Sequence, residues 1–137
     1  MEREIKEFSC GAVLFTETGG IRRYVLVVER SGACGFPKGH MEARENEYMT
    51  ASREVREEVG AEHLRWMPGF RERITYPIAA GRDKQVTLFL CRCDADEIQC
   101  RDVAAVKILP YSEAMAELKH ENLRQILVKA EKYLQEH

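Results

Sequence analysis

No apolar run in this chain is long enough to cross a bilayer: the runs at residues 25–28 and 88–91 fall far below the roughly 20 residues a spanning helix needs. The opening residues Met1-Glu2-Arg3-Glu4 are charged and lead into no apolar segment, so no signal peptide is expected. There is no basic excess either. With 21 Lys and Arg against 23 Asp and Glu, the formal net charge is -2, which argues against nonspecific binding to a nucleic-acid backbone. An even cysteine framework is also missing. The 5 cysteines (Cys10, Cys34, Cys91, Cys93 and Cys100) are odd in number, and Cys91-x-Cys93 is not a zinc spacing. In a strand Cys91 and Cys93 point the same way, as small core residues do, so reduced thiols and a cytoplasmic setting are expected. Internal repeats, low-complexity tracts and linkers are absent. What is present, 45% hydrophobic and 32% charged residues in 137, is the balance of one soluble globular domain over residues 1–137 with a real core.

Residues 8–15 are apolar apart from Ser9 and predict a buried strand. Residues 16–20 (TETGG) predict a turn, and residues 24–29 (YVLVVE) a second strand, so the two form a hairpin. Gly32, Gly35, Pro37 and Gly39 mark residues 31–39 as a loop with particular backbone demands. Residues 64–76 alternate imperfectly and read as one long strand or two short ones. A turn at 79–84, a strand at 85–93, a polar loop at 94–102 and a strand at 103–109 follow. Residues 112–135 predict a helical region whose core stripe is Leu118, Leu123, Ile126, Leu127, Ala130 and Leu134. Strands flanking one central helix, with a helical C-terminus, indicate a layered α/β or α+β domain.

Residues 46–60 carry the chemistry. Asn46 suits an N-cap and Gly60 the C′ position, although no Glu or Gln three residues after Asn46 completes a capping box. At about 100° per residue, Tyr48, Ala51, Val55 and Val59 share a core-facing side, while Glu54, Glu57 and Glu58 stand together at i, i+3 and i+4. Each like-charge pair at such spacing opposes the helix by roughly 0.2–0.5 kcal/mol, and Arg53 alone cannot neutralise three carboxylates. A hard divalent cation, Mg²⁺ or Mn²⁺, can.

The full pattern is G-x5-E-x7-R-E-U-x-E-E-x-G-U, with U a bulky apolar residue, and it is carried by Gly39, Glu45, Arg53, Glu54, Val55, Glu57, Glu58 and Gly60. It resembles the signature of the Nudix hydrolases; only Ala61 is smaller than the usual last residue. The resemblance implies an α/β/α sandwich with a mixed sheet, and hydrolysis of a nucleoside diphosphate linked to another group by water attack on phosphorus. It further implies Glu54, Glu57 and Glu58 as metal ligands, with the carbonyl of Gly39 as an added one. Glu45 and Arg53 are implied as the pair that holds the loop to the helix. Which glutamate serves as general base stays open.

Beyond the motif, SCGAV at residues 9–13, GFPKGHME at 35–42, GFRERITY at 69–76, and Lys84 before the strand at 86–90 resemble the asymmetrical diadenosine tetraphosphate hydrolases. That likeness implies phosphate contacts from Lys38, His40 and Lys84 and base stacking by Tyr76. It departs from the subgroup in three places. Ala43-Arg44 replaces the usual Pro-Gly turn before Glu45. Ile108 stands near the place of an expected Trp, and the acidic ligand upstream of that Trp falls to Asp102, with Glu97 as second choice. A small nucleotide is the expected partner, with 5′-triphosphate RNA or a damaged nucleoside triphosphate as alternative substrates. A non-catalytic nucleotide-binding module is the remaining reading, and the chain is expected to act as a monomer or homodimer.

Overall fold

The apolar run at residues 8–15 becomes the middle of a longer strand, β1 (Glu4–Thr18), in a computed structural model that describes residues 2–137. Met1, the first residue of the expected 1–137 span, lies outside the described residues. β1 continues into the expected turn, where Glu17 pairs across the hairpin with Arg22 of β2 (Ile21–Val28), at 3.2 Å. The turn shrinks to Gly19 and Gly20, with φ of 60° and 77°. A two-residue hairpin with both central residues left-handed matches the twist of the strands, and glycine reaches it without a Cβ penalty.

The glycine-rich loop also proves more ordered than its composition suggests. It contains β3 (Cys34–Gly35) on β2 and β4 (Lys38–His40) on β1. Their pairing is imposed by strands distant in sequence, so local pattern carries no sign of it. Residues 65–76 of the expected 64–76 segment belong to one strand, β5 (Arg65–Ala79), with a register break between Trp66 and Arg71 where Pro68 has no N–H and Gly69 takes φ 83°. Ala80 and Gly81 turn the chain into β6 (Arg82–Arg92). A 3₁₀ turn (Ala95–Glu97) interrupts the polar loop, and β7 (Ala105–Leu109) pairs with β2.

One mixed sheet results, ordered β3-β2-β1-β6-β5, with β4 on β1 and β7 on β2; β1 and β6 are parallel and the other pairs antiparallel. Helix α1 (Glu47–Val59) covers one face, where Val55 and Val59 meet Ala12, Leu14, Val25 and Cys91. The expected C-terminal helical region is two helices, α2 (Tyr111–Glu117) and α3 (Glu121–Glu136), broken at residues 118–120. They cover the opposite face, where Leu118, Ile126, Leu127 and Ala130 pack on Val13, Phe15, Tyr24 and Leu88. The α/β/α layering follows from two helical faces needing one sheet between them. All 5 cysteines are free, with Cys91 and Cys93 in the core, and no described helix is long and apolar enough to cross a membrane.

Candidate active site

The side chain of Asn46 accepts a hydrogen bond from the backbone N–H of Met49 at 2.8 Å, and Gly60 ends α1 in the left-handed conformation at φ 76°. Between these caps Ala51, Val55 and Val59 are fully buried. Tyr48, expected beside them, is 46% exposed: it lies in the first turn, at the rim, with its ring stacked on Phe89 at a centroid distance of 3.9 Å.

The seated helix turns its carboxylates toward β4. Arg53 is the hub. Its Nε and Nη2 donate to the two oxygens of Glu45, at 2.7 and 3.0 Å, and Nη2 also donates to the carbonyl of His40 at 2.8 Å. Nη1 reaches Glu54 at 2.7 Å and Glu57 at 3.1 Å. Glu45 further accepts from Glu42 N–H and Thr50 Oγ1 at 2.9 Å each, so this bidentate pair ties loop to helix. The Arg53 hydrogen bonds pull the Glu45 carboxyl down to about 2. Arg44, where the sequence departs from the usual Pro-Gly, has φ 70°; among the described residues it alone adopts a left-handed backbone without being glycine.

Glu58 is different. It is buried, and no Lys or Arg side chain among the described residues makes an ion pair with it. Its carboxylate accepts only the backbone N–H of Lys38, at 3.0 Å. Burial, reinforced by the neighbouring Glu54 charge, pushes Glu58 up to about 8, and burial also raises Glu54 against the pull of Arg53. Gly39 explains the closeness of loop and helix: an added Cβ there would overlap the Glu54 carboxyl group. A buried Glu58 beside half-buried Glu54, with one arginine shared among Glu45, Glu54 and Glu57, fits a hard divalent cation, which oxygen donors hold best. The residues that fit it are Glu54, Glu57, Glu58 and the Gly39 carbonyl.

β-Register separates two sides of the site. Ser9 pairs with His40, Gly11 with Lys38, Glu7 with Lys84, and Lys84 with Tyr76. Directly opposed residues share a sheet face, so Lys38, His40, Lys84 and Tyr76 all stand on the α3 side, whereas Gly39 faces α1. On the α3 side lies a cavity of about 400 Å³, lined by Cys34, Phe36, Lys38, Ile74, Tyr76 and Leu123 among others. Glu29, His120 and Asn122 also line it. Burial and the Lys38 charge lower the Lys84 ammonium, and burial with Glu29 and Glu7 raises the Tyr76 phenol. Exposed His40 sits at the rim, 3.3 Å from Glu7.

Some candidates are not brought together. Asp102 is 71% exposed and pairs with Arg30 at 3.6 Å. Glu97 binds His63 at 2.8 Å and, with Asp94, forms an acidic cluster near the end of α1 whose charges already meet His63 and Arg65. Sequence reading missed the cavity's outer wall. Glu29, a charge closing an apolar run, was the only signal for it; nothing at residues 120–123 distinguishes a pocket wall from a helix start.

Known proteins share this fold. Residues 6–130 match the model of the NUDIX domain. A Caenorhabditis elegans Ap4A hydrolase, in a binary complex, superimposes with a TM-score of 0.88 over 96% of this chain and 100% of that one, at 22% identity. The Escherichia coli dihydroneopterin triphosphate pyrophosphohydrolase gives 0.68 over 92% and 97%, at 18%. The NUDIX domain of Shewanella oneidensis NrtR, complexed with ADP ribose, gives 0.75 over 96% and 90%, also at 18%. Hydrolases of this family generally need divalent metal ions. The chain belongs to the NUDIX domain family and is a pyrophosphohydrolase, acting on acid anhydrides.

Proposed function

We propose that this enzyme hydrolyses nucleoside diphosphates linked to another group, diadenosine tetraphosphate above all, giving ATP and AMP. One observation carries the reading. Lys38 belongs to both halves of the site: its backbone N–H bonds Glu58, while its side chain lines the cavity that Tyr76 walls. A phosphate chain lying across β4 would therefore have its nucleoside end in the cavity and its reacting phosphorus at the carboxylates. The volume and largely apolar lining suit a nucleoside, and the Tyr76 ring offers a face for a base. The solved C. elegans Ap4A hydrolase, alike over nearly the whole chain, supports the same reading at the level of fold.

Lys38 and Lys84 repel each other over β1, and an anionic phosphate placed between them relieves both. His40 closes the phosphate end. Glu54, Glu57, Glu58 and the Gly39 carbonyl would hold Mg²⁺ or Mn²⁺; Asp102 would join them only by leaving Arg30. When bound, such an ion neutralises phosphate charge and lowers the pKa of water. Arg53 keeps Glu54 and Glu57 in place by donating to both, and Glu45 keeps Arg53 in place. One of the motif glutamates takes the proton of the attacking water.

The test is product chromatography with diadenosine tetraphosphate beside nucleoside triphosphates and 5′-triphosphate RNA, with and without Mg²⁺. ATP plus AMP, formed only with metal and faster than product from any other substrate, is expected. Faster release of pyrophosphate from a triphosphate or from RNA would overturn the dinucleotide assignment and keep the hydrolase.

A further inference from the structure

The apolar run at residues 8–15 contains one polar side chain, Ser9, and it is 1% exposed with no hydrogen-bond partner for its Oγ among the described residues. A buried hydroxyl left unsatisfied costs stability, and alanine would occupy nearly the same space without that cost. Packing alone therefore does not account for it.

Its surroundings do. Ser9 stands opposite His40 on β4 and Val86 on β6. Its neighbours on the same face of β1 are Glu7, opposite Lys84, and Gly11, opposite Lys38. The hydroxyl thus sits in a floor ringed by Lys38, His40, Lys84 and Glu7. Gly11 keeps that floor low, since a Cβ there would run into the Pro37 carbonyl and the Lys38 side chain. Lys38 on β4 and Lys84 on β6 flank β1 on this same face, one on each side of Ser9.

We propose that Ser9 is a positioning residue, whose hydroxyl holds one buried water that bridges to the substrate phosphate between Lys38 and Lys84. Buried waters characteristically join about three otherwise unpaired polar groups, and a bridged contact is nearly as favourable as a direct one. This role rests on the reading of Lys38 and Lys84 as phosphate contacts.

Ser9→Ala tests it, with Lys84→Ala in parallel and inorganic tripolyphosphate as the binding probe in calorimetry. Ser9→Ala is expected to weaken tripolyphosphate binding and raise KM for diadenosine tetraphosphate, each about tenfold as for one lost hydrogen bond to a charged group. Its kcat should stay within about twofold and its melting temperature should be unchanged or higher. Unchanged affinity and KM in Ser9→Ala, with binding lost in Lys84→Ala, would overturn the Ser9 role and leave the phosphate site standing. Absence of tripolyphosphate binding by the wild-type protein would overturn the phosphate site and the Ser9 role together.

Discussion

Glu58 shows why the motif needs three glutamates and not merely acidity. It is buried against a backbone N–H while Arg53 serves its neighbours, so its charge has no cationic partner among the described residues, as the proposed metal role requires. Glu57→Gln and Glu58→Gln should each lower kcat at least about 100-fold, read by steady-state kinetics at saturating Mg²⁺; near-normal turnover in either would contradict the ligand assignment. Arg44 makes the opposite kind of test. An L-residue in the left-handed region is disfavoured by roughly 1–2 kcal/mol, partly offset for glycine by its larger loss of freedom on folding. Arg44→Gly should therefore raise the melting temperature slightly, and β-branched Arg44→Val should lower it, both by calorimetry. The sequence marks this position as a departure from a Pro-Gly turn, and backbone geometry shows that Arg44 adopts the left-handed conformation glycine favours.

At the scale of elements, α1 can hold the proposed ligands in place because it is fixed at both ends and along one side. Asn46→Ala should cost about 1 kcal/mol in denaturant unfolding, since one helix N–H loses its acceptor. The pH dependence follows from the carboxylates. Without metal, Glu58 is raised to about 8 from an ordinary value near 4.5, so the folded state holds a proton that the unfolded chain has released. That contribution is complete below about pH 4.5 and is lost as the pH rises toward 8. Glu45, lowered to about 2, works the other way: its stabilisation is present above about pH 4.5 and is lost on acidification toward 2. Urea midpoints of metal-free protein should fall from pH 5 to pH 8, and Glu58→Gln should flatten that slope; an equally steep slope in the variant would contradict the assignment. Both caps of α1 were legible because cap chemistry is local. The short strands β3 and β4 were not, since their partners lie on β1 and β2, and the break between α2 and α3 was hidden because Leu118 stays in the apolar stripe. Leu127, at the centre of that stripe, should cost about 2–5 kcal/mol on truncation to alanine, measured by urea unfolding.

Across the molecule, one sheet divides the labour. Its α1 side presents acids, its α3 side presents lysines and an aromatic wall, and β4 is the edge over which the proposed substrate's phosphate chain would pass. Motif spacing revealed the first side because its residues are close in sequence on one helix. The second was legible only as scattered residues, Lys38, Tyr76 and Lys84, which strand register later put on one face. The cavity wall from residues 120–123 belongs to tertiary packing and had no local signature. The decisive measurement is hydrolysis of diadenosine tetraphosphate by wild-type protein and by folded Glu58→Gln, with and without Mg²⁺, followed by chromatography of the products. The predicted result is ATP plus AMP from wild-type protein with metal alone, and at least about 100-fold slower release from the variant. Equal rates from both proteins, or hydrolysis by wild-type protein without any divalent ion, would contradict a reaction carried by the carboxylate face of α1.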